Sequence, residues 1–389
     1  MNNHFKFSKC LNLAIGLILA QKNSLQDFLQ LQKTDLEKFE KYCIRHGIAP
    51  YIYKVLQSSD NKLYTNNSIY KNFEQIYIQT LAKNLKSKQE ILSLAKIFRN
   101  ENITMIALKG MALIQSVYPD LGLRSMSDVD LLFDLNDIPQ VEEILFSQGY
   151  QTDSRYYTGQ FKELDMRQNH HHLPMMTKNG IAIEAHWNLF PPTFSYSIDL
   201  QKMKDNSIQY DAKQSKLNTF SSLDMLLHSC IHIHENYIQK GMRLAWLLDI
   251  EMLFKTDKLL MNNITRANWD NKVKDLVIKI LNLKDYLFYP YQNHFVVGTE
   301  DSDFFHKNIQ YLSDDKDGKG SDIIYIQSFK NRKSIFQNIK LLLQELFPRK
   351  KFLIQRYKIK YLVFIPFFYV FRIAKAIIRG LKYILLLLK

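Results

Sequence analysis

Apolar residues recur at helical spacing towards both ends of the chain and at strand spacing in between. Residues 7–57 predict two or three amphipathic helices, and residues 69–98 predict one long helix. The buried side of that long helix is predicted to carry Leu81, Leu85, Ile91, Leu92 and Phe98. Residues 58–67 are polar and predict a loop, whereas residues 193–220 look irregular with some strand. Further helices are predicted from the N-cap residues Ser221-Ser222 to about Phe347.

The stretch 104–134 predicts a strand, a glycine turn, a helix and a second strand. A short apolar run, 104–108, is interrupted by Lys109-Gly110. Helical spacing follows until Pro119 ends the helix. Residues 128–133 then alternate between acidic and apolar before becoming fully apolar, which is the pattern of a strand that enters the core.

Two carboxylates on this second strand suggest a metal site. Residues two apart on a strand share a face, so Asp128 and Asp130 are predicted to point the same way. Their mutual repulsion favours a cation between them, and Mg²⁺ binds a few carboxylates while leaving room for phosphate oxygens. The glycine turn opens a helix whose first N–H groups suit an anion. The stretch therefore predicts a metal together with a polyphosphate.

A hairpin is predicted where Asn179-Gly180 separates two apolar runs, 172–176 and 181–187. On its second strand Glu184 and His186 share one face. This hairpin brings further polar side chains to the predicted sheet.

These motifs, in this order, resemble a known family. They read Leu108-Lys109-Gly110, Tyr118-Pro119, Arg124, Asp128-Val129-Asp130-Leu131-Leu132, Glu184-Ala185-His186-Trp187 and Arg243-Leu244-Ala245-Trp246-Leu247-Leu248-Asp249. The set is similar to the bacterial family of "uncharacterised nucleotidyltransferases", within the DNA polymerase β-like superfamily. The chain departs from the wider superfamily at its turn, where Lys109-Gly110-Met111 replaces Gly-Gly or Gly-Ser and supplies no hydroxyl group.

The resemblance implies an α+β fold with a small mixed-sheet core between N-terminal and C-terminal helical units. We divide the chain into a helical region (1–85), the catalytic core (86–192), a mainly helical domain (193–347) and a basic, apolar helical tail (348–389). In the superfamily, a later antiparallel strand brings a third acid beside the first two.

The resemblance also implies Mg²⁺-dependent transfer of a nucleoside monophosphate from an NTP, such as ATP, to an acceptor, with release of pyrophosphate. Asp128, Asp130 and Glu184 would be the catalytic and metal-binding residues, with two Mg²⁺ ions or Mn²⁺ in their place. Lys109, Gly110, Arg124, Ser127 and His186 would bind the nucleotide. The acceptor stays open between a small molecule, a sugar phosphate, RNA and a protein. The alternatives are an inactive nucleotide-binding protein and a membrane-associated scaffold on the same fold.

The remaining histidines do not favour a zinc site. Consecutive histidines at 170–172 would alternate between strand faces, and no cysteine is near them. His228 and His232 lie four apart on a predicted helix without the glutamate of a zinc protease, so we place them at the interface of the helical and catalytic units. Arg243 and Asp249 are expected to pair with each other, with substrate contact as the alternative.

Positive charge is concentrated at the C-terminus. Of 52 basic and 38 acidic residues, 15 basic and one acidic lie in 329–389, which leaves 37 of each for the rest of the chain. A neutral body argues against a general nucleic-acid-binding protein. Within the tail, Arg372, Lys375, Arg379 and Lys382 fall on one helical stripe amid apolar residues. The tail either packs on the helical unit or makes peripheral contact with an anionic membrane surface through 349–389.

Location is predicted from cysteine use and from the apolar runs. Cys10, Cys43 and Cys230 show no paired spacing, which favours a reducing compartment. No apolar run reaches the roughly 20 residues of a membrane-spanning helix. The N-terminal apolar run lacks a good cleavage region and continues at helical spacing, so it is not expected to be a signal peptide. The sequence predicts a cytoplasmic protein, with the inner face of the membrane as the alternative for the tail.

Overall fold

The computed structural model covers most of the predicted core and helical units. It describes residues 7–59, 68–152, 170–191, 196–212, 215–239, 241–289 and 302–313, and in the tail residues 347, 353, 359 and 361–374. Most of the predicted loop 58–67, and the part of the predicted helical domain between 314 and 346, lie outside the described residues.

Four short helices and one long helix form the N-terminal unit. They are α1 (Lys9–Ile18), α2 (Lys22–Leu29), α3 (Lys33–Arg45), α4 (Ala49–Ser58) and α5 (Ser68–Asn100). Residues 7–57 thus hold four helices where two or three were predicted. The extra break follows α1, where Ala20 has a φ of +53° that a continuous α-helix does not allow. Ser8 caps α1 by accepting a hydrogen bond from the Leu11 N–H at 3.2 Å.

The long helix α5 joins this unit to the sheet. Ile91 and Phe98 are buried as predicted, but Leu85 is 49% exposed. Its neighbour Asn84 faces inward instead, and the Asn84 amide donates to the Leu121 carbonyl at 2.6 Å. A polar side chain therefore occupies the position where the apolar pattern predicted a leucine contact.

A mixed sheet of seven strands forms the core, in the order β3-β4-β5-β2-β1-β7-β6. Its strands are β1 (Ile106–Ala107), β2 (Val129–Leu132), β3 (Gln151–Thr152), β4 (Met176–Lys178), β5 (Ile181–His186), β6 (Ile208–Ala212) and β7 (Ser215–Thr219). The connecting helices are α6 (Lys109–Ser116), α7 (Ile138–Ser147) and α8 (Leu200–Asp205). The predicted α+β class with a mixed sheet is confirmed.

The predicted hairpin is confirmed in β4 and β5, which pair antiparallel. Asn179 and Gly180 have φ values of +51° and +80°, which a two-residue turn of type I′ requires at both positions. Beyond residue 192 the sheet continues, because β7 pairs parallel with β1 and antiparallel with β6. The domain boundaries stay predictions, and the sheet extends past the one placed after residue 192.

Helices also dominate the C-terminal part of the described chain. They are α9 (Ser222–Gln239), α10 (Leu244–Thr256), α11 (Leu260–Arg266), α12 (Asn271–Phe288) and α13 (Ser302–Ser313). Their buried side chains belong to the same hydrophobic cluster as those of the sheet and the N-terminal helices. The helical units and the sheet therefore share one core.

The tail presents apolar side chains to solvent. Residues 365–374 are helical, and Val363, Phe367 and Val370 are 78%, 62% and 64% exposed. Among the described helices, none combines the length and apolar character needed to cross a bilayer. Of the predicted basic stripe only Arg372 is described, since Lys375, Arg379 and Lys382 lie outside the described residues.

Candidate active site

Two acids lie level with each other on neighbouring strands. In the β2–β5 pair, Asp130 is directly opposite Glu184. Glu184, the predicted third acid, thus lies beside Asp130. The strand that carries it, β5, runs parallel to β2, so the expected antiparallel direction is wrong. The connection from β2 to β5 passes through α7 and two further strands, and so it is long enough for the crossover that parallel strands need.

Asp130 is held between two basic side chains. Its Oδ1 accepts hydrogen bonds from Lys109 Nζ and from His186 Nε2, both at 2.9 Å, and the residue is only 6% exposed. His186 Nε2 also lies 3.5 Å from Glu184 Oε2. The ligand atoms of Asp130, Glu184 and His186 all lie within 4.8 Å of one another.

Charge compensation sets the protonation of this cluster. Burial raises the pKa of Asp130, but Lys109 and His186 outweigh burial and hold that pKa well below its usual range. Burial lowers the pKa of Lys109 and of His186, and the Asp130 carboxylate reverses both effects, so both pKa values rise. Burial likewise raises the pKa of Glu184, and its hydrogen bond with His186 makes the net shift downward. Asp130 and Glu184 are therefore ionised, and Asp130 faces the Lys109 ammonium.

Asp128 lies just before β2, whose first residue is Val129. Its Oδ1 accepts a hydrogen bond from the Ser127 hydroxyl at 2.6 Å. Burial and the negative charge of Asp130 raise the pKa of Asp128. Among the described residues Asp128 is outside the three-residue ligand group, but it lines the same cavity.

The glycine turn has the predicted form of strand, turn and helix. Lys109 begins α6 with a φ of +41°, a backbone conformation that a lysine rarely adopts. A Cβ atom on Gly110 would lie 2.6 Å from Arg124 Nη1 and 2.7 Å from Met126 Sδ. A side chain at this position would have to displace the ends of those two side chains, so their packing favours glycine before any phosphate is considered.

Arg124 forms a buried, two-pronged ion pair with Asp249 of α10. Arg124 Nε and Nη2 donate to the two Asp249 oxygens at 2.7 and 2.8 Å, and the Tyr118 hydroxyl donates to Asp249 Oδ1 at 2.7 Å. Asp249 therefore pairs with Arg124, not with Arg243 as predicted. The reason is orientation, because Asp249 faces the core at 3% exposure while Arg243 precedes α10 and is exposed.

A cavity of about 620 Å³ opens at this cluster. Its lining includes every predicted site residue, namely Lys109, Gly110, Arg124, Ser127, Asp128, Asp130, Glu184 and His186. The N-terminal and C-terminal helices complete the lining with, among others, Arg45, His46, His232, Asn236, Arg243 and Trp246. The predicted site residues are therefore brought together in one place.

Residues 32–288 match the family model described as "uncharacterised nucleotidyltransferase". The chain belongs to this family. Among solved structures, the chain is similar to an antigenic nucleotidyltransferase-like protein from Paracoccidioides brasiliensis, at 16% identity. That likeness covers 52% of this chain and 91% of the other, with a TM-score of 0.31. Among curated proteins, none matches this chain.

Nucleotidyltransferases typically use a divalent metal, and the donor set of this family member fits one. The Asp128, Asp130 and Glu184 carboxylates supply the oxygen ligands that Mg²⁺ prefers. Asp130 and Glu184 already lie within one ligand group. Lys109 Nζ and His186 Nε2 each lie 2.9 Å from Asp130 Oδ1, an oxygen that a metal ion would share with them.

Two histidines that the sequence places on alternating strand faces, His171 and His172, lie together with His186 in this family member. The His171 and His172 rings lie 4.5 Å apart, and they lie 5.3 and 4.9 Å from the His186 ring. Residues 170–172 form a bend and a single bridge, so the alternation expected of a strand does not apply. Burial and the neighbouring His186 lower the pKa of both residues and favour their neutral forms.

The helix-borne histidines lie near the same cluster. His232 lines the cavity, and His228 on the same helix is buried at 2% exposure. Burial and the positive charge of Lys109 lower the pKa of both imidazoles well below the usual value. They accordingly adjoin the catalytic unit, in agreement with the predicted interface position.

Proposed function

We propose that this nucleotidyltransferase moves a nucleoside monophosphate from an NTP to an acceptor hydroxyl, in a Mg²⁺-dependent reaction that releases pyrophosphate. The observation that carries the proposal is the pair of ionised carboxylates, Asp130 and Glu184, set side by side next to the Lys109-Gly110 turn in one cavity. Carboxylates in register on adjacent strands suit divalent cations that bridge phosphate oxygens.

The proposed reaction divides into metal binding, proton transfer and phosphate binding, and the cavity residues differ in which of these they perform. Asp128, Asp130 and Glu184 would hold the metal, which when bound would supply charge stabilisation at the entering and leaving oxygens. The acceptor oxygen bonds to the α-phosphorus as the bond from that phosphorus to the pyrophosphate oxygen breaks. Glu184 takes the acceptor proton, and Lys109 neutralises phosphate charge. The strained backbone of Lys109 supports a functional role, since such conformations cluster at active sites.

Pyrophosphate release tests the proposal. Purified protein is incubated with Mg²⁺ and each NTP, with cell extract as the source of acceptor, and with EDTA in a parallel sample. We expect pyrophosphate above the extract background only when protein, metal and one or more NTPs are present. Nucleotide binding without any release would favour the alternative, a nucleotide-binding protein that performs no transfer.

Replacing Lys109 with methionine is expected to strengthen metal binding in the absence of nucleotide. The Lys109 ammonium contacts Asp130 Oδ1 at 2.9 Å and competes with a cation for that oxygen. A unit charge at such a distance is worth several kcal/mol at an effective dielectric constant of about 20, so we expect Mn²⁺ affinity to rise about tenfold or more. Electron paramagnetic resonance of Mn²⁺ measures this affinity directly.

The matched control is Lys83→Met. Lys83 Nζ donates to the Met126 carbonyl at 2.7 Å and to the Ser127 carbonyl at 3.1 Å, so it adjoins the same loop through backbone oxygens. Its replacement should leave Mn²⁺ affinity unchanged. Equal affinities for Lys109→Met and the unmodified protein would show that Lys109 does not compete with the metal.

The tail favours a second proposal, peripheral contact with an anionic membrane through 349–389. The specific observation is the exposure of large apolar side chains within 361–371, in a segment whose sequence, 349–389, contains 11 basic residues and no acidic residue. Apolar side chains and nearby basic residues together suit a lipid interface, where each Lys or Arg contributes about 1 kcal/mol.

We expect full-length protein to sediment with phosphatidylserine vesicles at low salt, and a chain ending near Phe347 to stay in the supernatant. The exposed aromatic residues, such as Phe364 and Phe367, would insert while the basic residues attract the surface. Vesicles of neutral lipid are the control, because they remove the electrostatic attraction. Full-length protein that stays in the supernatant with anionic vesicles would leave packing of the tail on the body as the explanation.

A further inference from the structure

The proposed reaction assigns no role to Trp246, an aromatic residue of the cavity lining. Trp246 lies on α10, is partly buried, and lines the same cavity as Asp130 and Glu184. A tryptophan that lines a cavity otherwise rich in charged groups offers a flat apolar face. Such a face suits an aromatic ligand group better than it suits a phosphate.

Neighbouring side chains fix the Trp246 ring. The His232 ring meets it at a centroid distance of 4.9 Å and an interplanar angle of 76°. The Arg243 guanidinium lies over its face, with Cζ 6.0 Å from the ring centroid, at the limit of a cation–π contact. The flat guanidinium of Arg243 therefore already stacks on the Trp246 ring. Because Arg243 is exposed, its side chain can move aside for a flat ligand group.

The backbone at the start of α10 is already engaged. The Leu244 N–H donates to His46 Nδ1 at 3.3 Å, and the Ala245 N–H donates to the His46 carbonyl at 3.2 Å. The Trp246 N–H donates to the Arg243 carbonyl at 3.1 Å. These three backbone N–H groups are therefore not available to bind an anion. The first turn of α10 can contact a ligand in the cavity only through its side chains.

The position of Trp246 relative to the glycine turn is set by the core. Asp249, three residues further along α10, holds Arg124 by two hydrogen bonds. Arg124 in turn lies against Gly110, with its Nη1 2.6 Å from the position that a Cβ on this glycine would take. Residues three apart lie on neighbouring positions of a helix, so this ion pair links the tryptophan to the turn through rigid elements.

We propose that Trp246 stacks on the nucleobase of the bound NTP while the carboxylates and Lys109-Gly110 engage its triphosphate. This inference rests on the proposed function and adds the residue that recognises the base. The cavity volume of about 620 Å³ falls within the roughly 300–1,000 Å³ of sites for ligands of this size. Every base has a flat π-face, so stacking on Trp246 gives affinity for nucleotides over bare polyphosphate.

Binding of two probes tests the inference. The α,β-methylene analogues of the four ribonucleoside triphosphates carry a base and resist cleavage, whereas inorganic tripolyphosphate carries only the phosphates. With Mg²⁺ present, Trp246→Ala should weaken binding of the preferred analogue by about 5- to 150-fold, the factor that corresponds to loss of one base–aromatic stack. Its affinity for tripolyphosphate should stay unchanged.

Two further variants distinguish loss of stacking from a folding defect. Trp246→Phe retains a flat ring and should retain most of the affinity for the analogue. Trp269→Phe is the matched control, because Trp269 packs against the core and is not part of the cavity lining. With three tryptophans in the chain, quenching of emission by the analogue should persist in Trp269→Phe and disappear in Trp246→Phe.

The outcomes separate this inference from the proposed function. Unmodified protein that binds neither probe overturns the proposed function and the inference with it. Unmodified protein that binds an analogue, with Trp246→Ala binding equally well, overturns the stacking alone. Equal losses for the analogue and for tripolyphosphate in Trp246→Ala also overturn it, because the ring would then only shape the cavity.

Discussion

Replacing Asp130 with asparagine is expected to lower nucleotide turnover by about 10³-fold or more. The change removes the charge of the carboxylate that lies opposite Glu184 and contacts both Lys109 and His186. Loss of a metal ligand removes several kcal/mol of charge stabilisation, and each 1.4 kcal/mol is tenfold in rate. Pyrophosphate release at saturating NTP and Mg²⁺ measures the effect.

The control for this variant is Asp134→Asn. Asp134 follows the same strand but pairs with Lys204 and is half exposed, outside the cavity lining. It should keep near-normal turnover. Circular dichroism and thermal unfolding of both variants check that the fold persists. Turnover of Asp130→Asn within tenfold of the unmodified protein would mean that the carboxylate cluster is not the reaction centre.

Replacing Arg124 with methionine is expected to lower the free energy of unfolding by about 3–5 kcal/mol, the usual result of removing one partner of a buried ion pair. The Asp249 carboxylate, whose side chain is 4% exposed, would lose both Arg124 hydrogen bonds and retain, among the described residues, the one from the Tyr118 hydroxyl. Urea-induced unfolding measures the loss.

A double variant makes this prediction specific. In Arg124→Met with Asp249→Asn, the uncompensated charge is gone and an amide oxygen still accepts the Tyr118 hydrogen bond, so most of the stability should return. If Arg124→Met instead keeps full stability and loses only NTP affinity, Arg124 binds nucleotide as the sequence predicted and its pairing with Asp249 contributes little.

Local features of the fold could be predicted because they depend on short stretches of chain. The Asn179-Gly180 turn follows from residues that tolerate positive φ, and the strand alternation of β2 places Asp130 towards the cavity. The Lys109-Gly110 break between strand and helix is equally local. In each case neighbouring residues and backbone geometry alone decide the conformation.

Features that depend on distant parts of the chain could not be predicted. Arg124 and Asp249 are 125 residues apart, and nothing local distinguishes Arg124 from Arg243 as the partner of Asp249. The direction of β5 relative to β2 likewise depends on how the long connection between these strands crosses the sheet. The spacing of apolar residues along the chain contains no information about that path.

The role of Lys109 illustrates the same limit at the site. Its position beside a glycine turn predicts an anionic partner, which the family resemblance identifies as phosphate. In the structure the Lys109 ammonium contacts the buried Asp130 carboxylate, because β2 lies next to the turn. Lys109 can pair with Asp130 before the nucleotide binds and with a phosphate afterwards. Mn²⁺ binding by Lys109→Met tests the first of these two roles.

The fate of the α-phosphate tests the central claim most directly. Protein, Mg²⁺ and cell extract are incubated with the preferred NTP labelled at either the α- or the γ-phosphorus, with Asp130→Asn as the blank. Nucleotidyl transfer predicts an extract component labelled from the α-position alone, and γ-label recovered as pyrophosphate. Label transferred from the γ-position, or equal α-labelling by the Asp130→Asn blank, would contradict nucleotidyl transfer at this site.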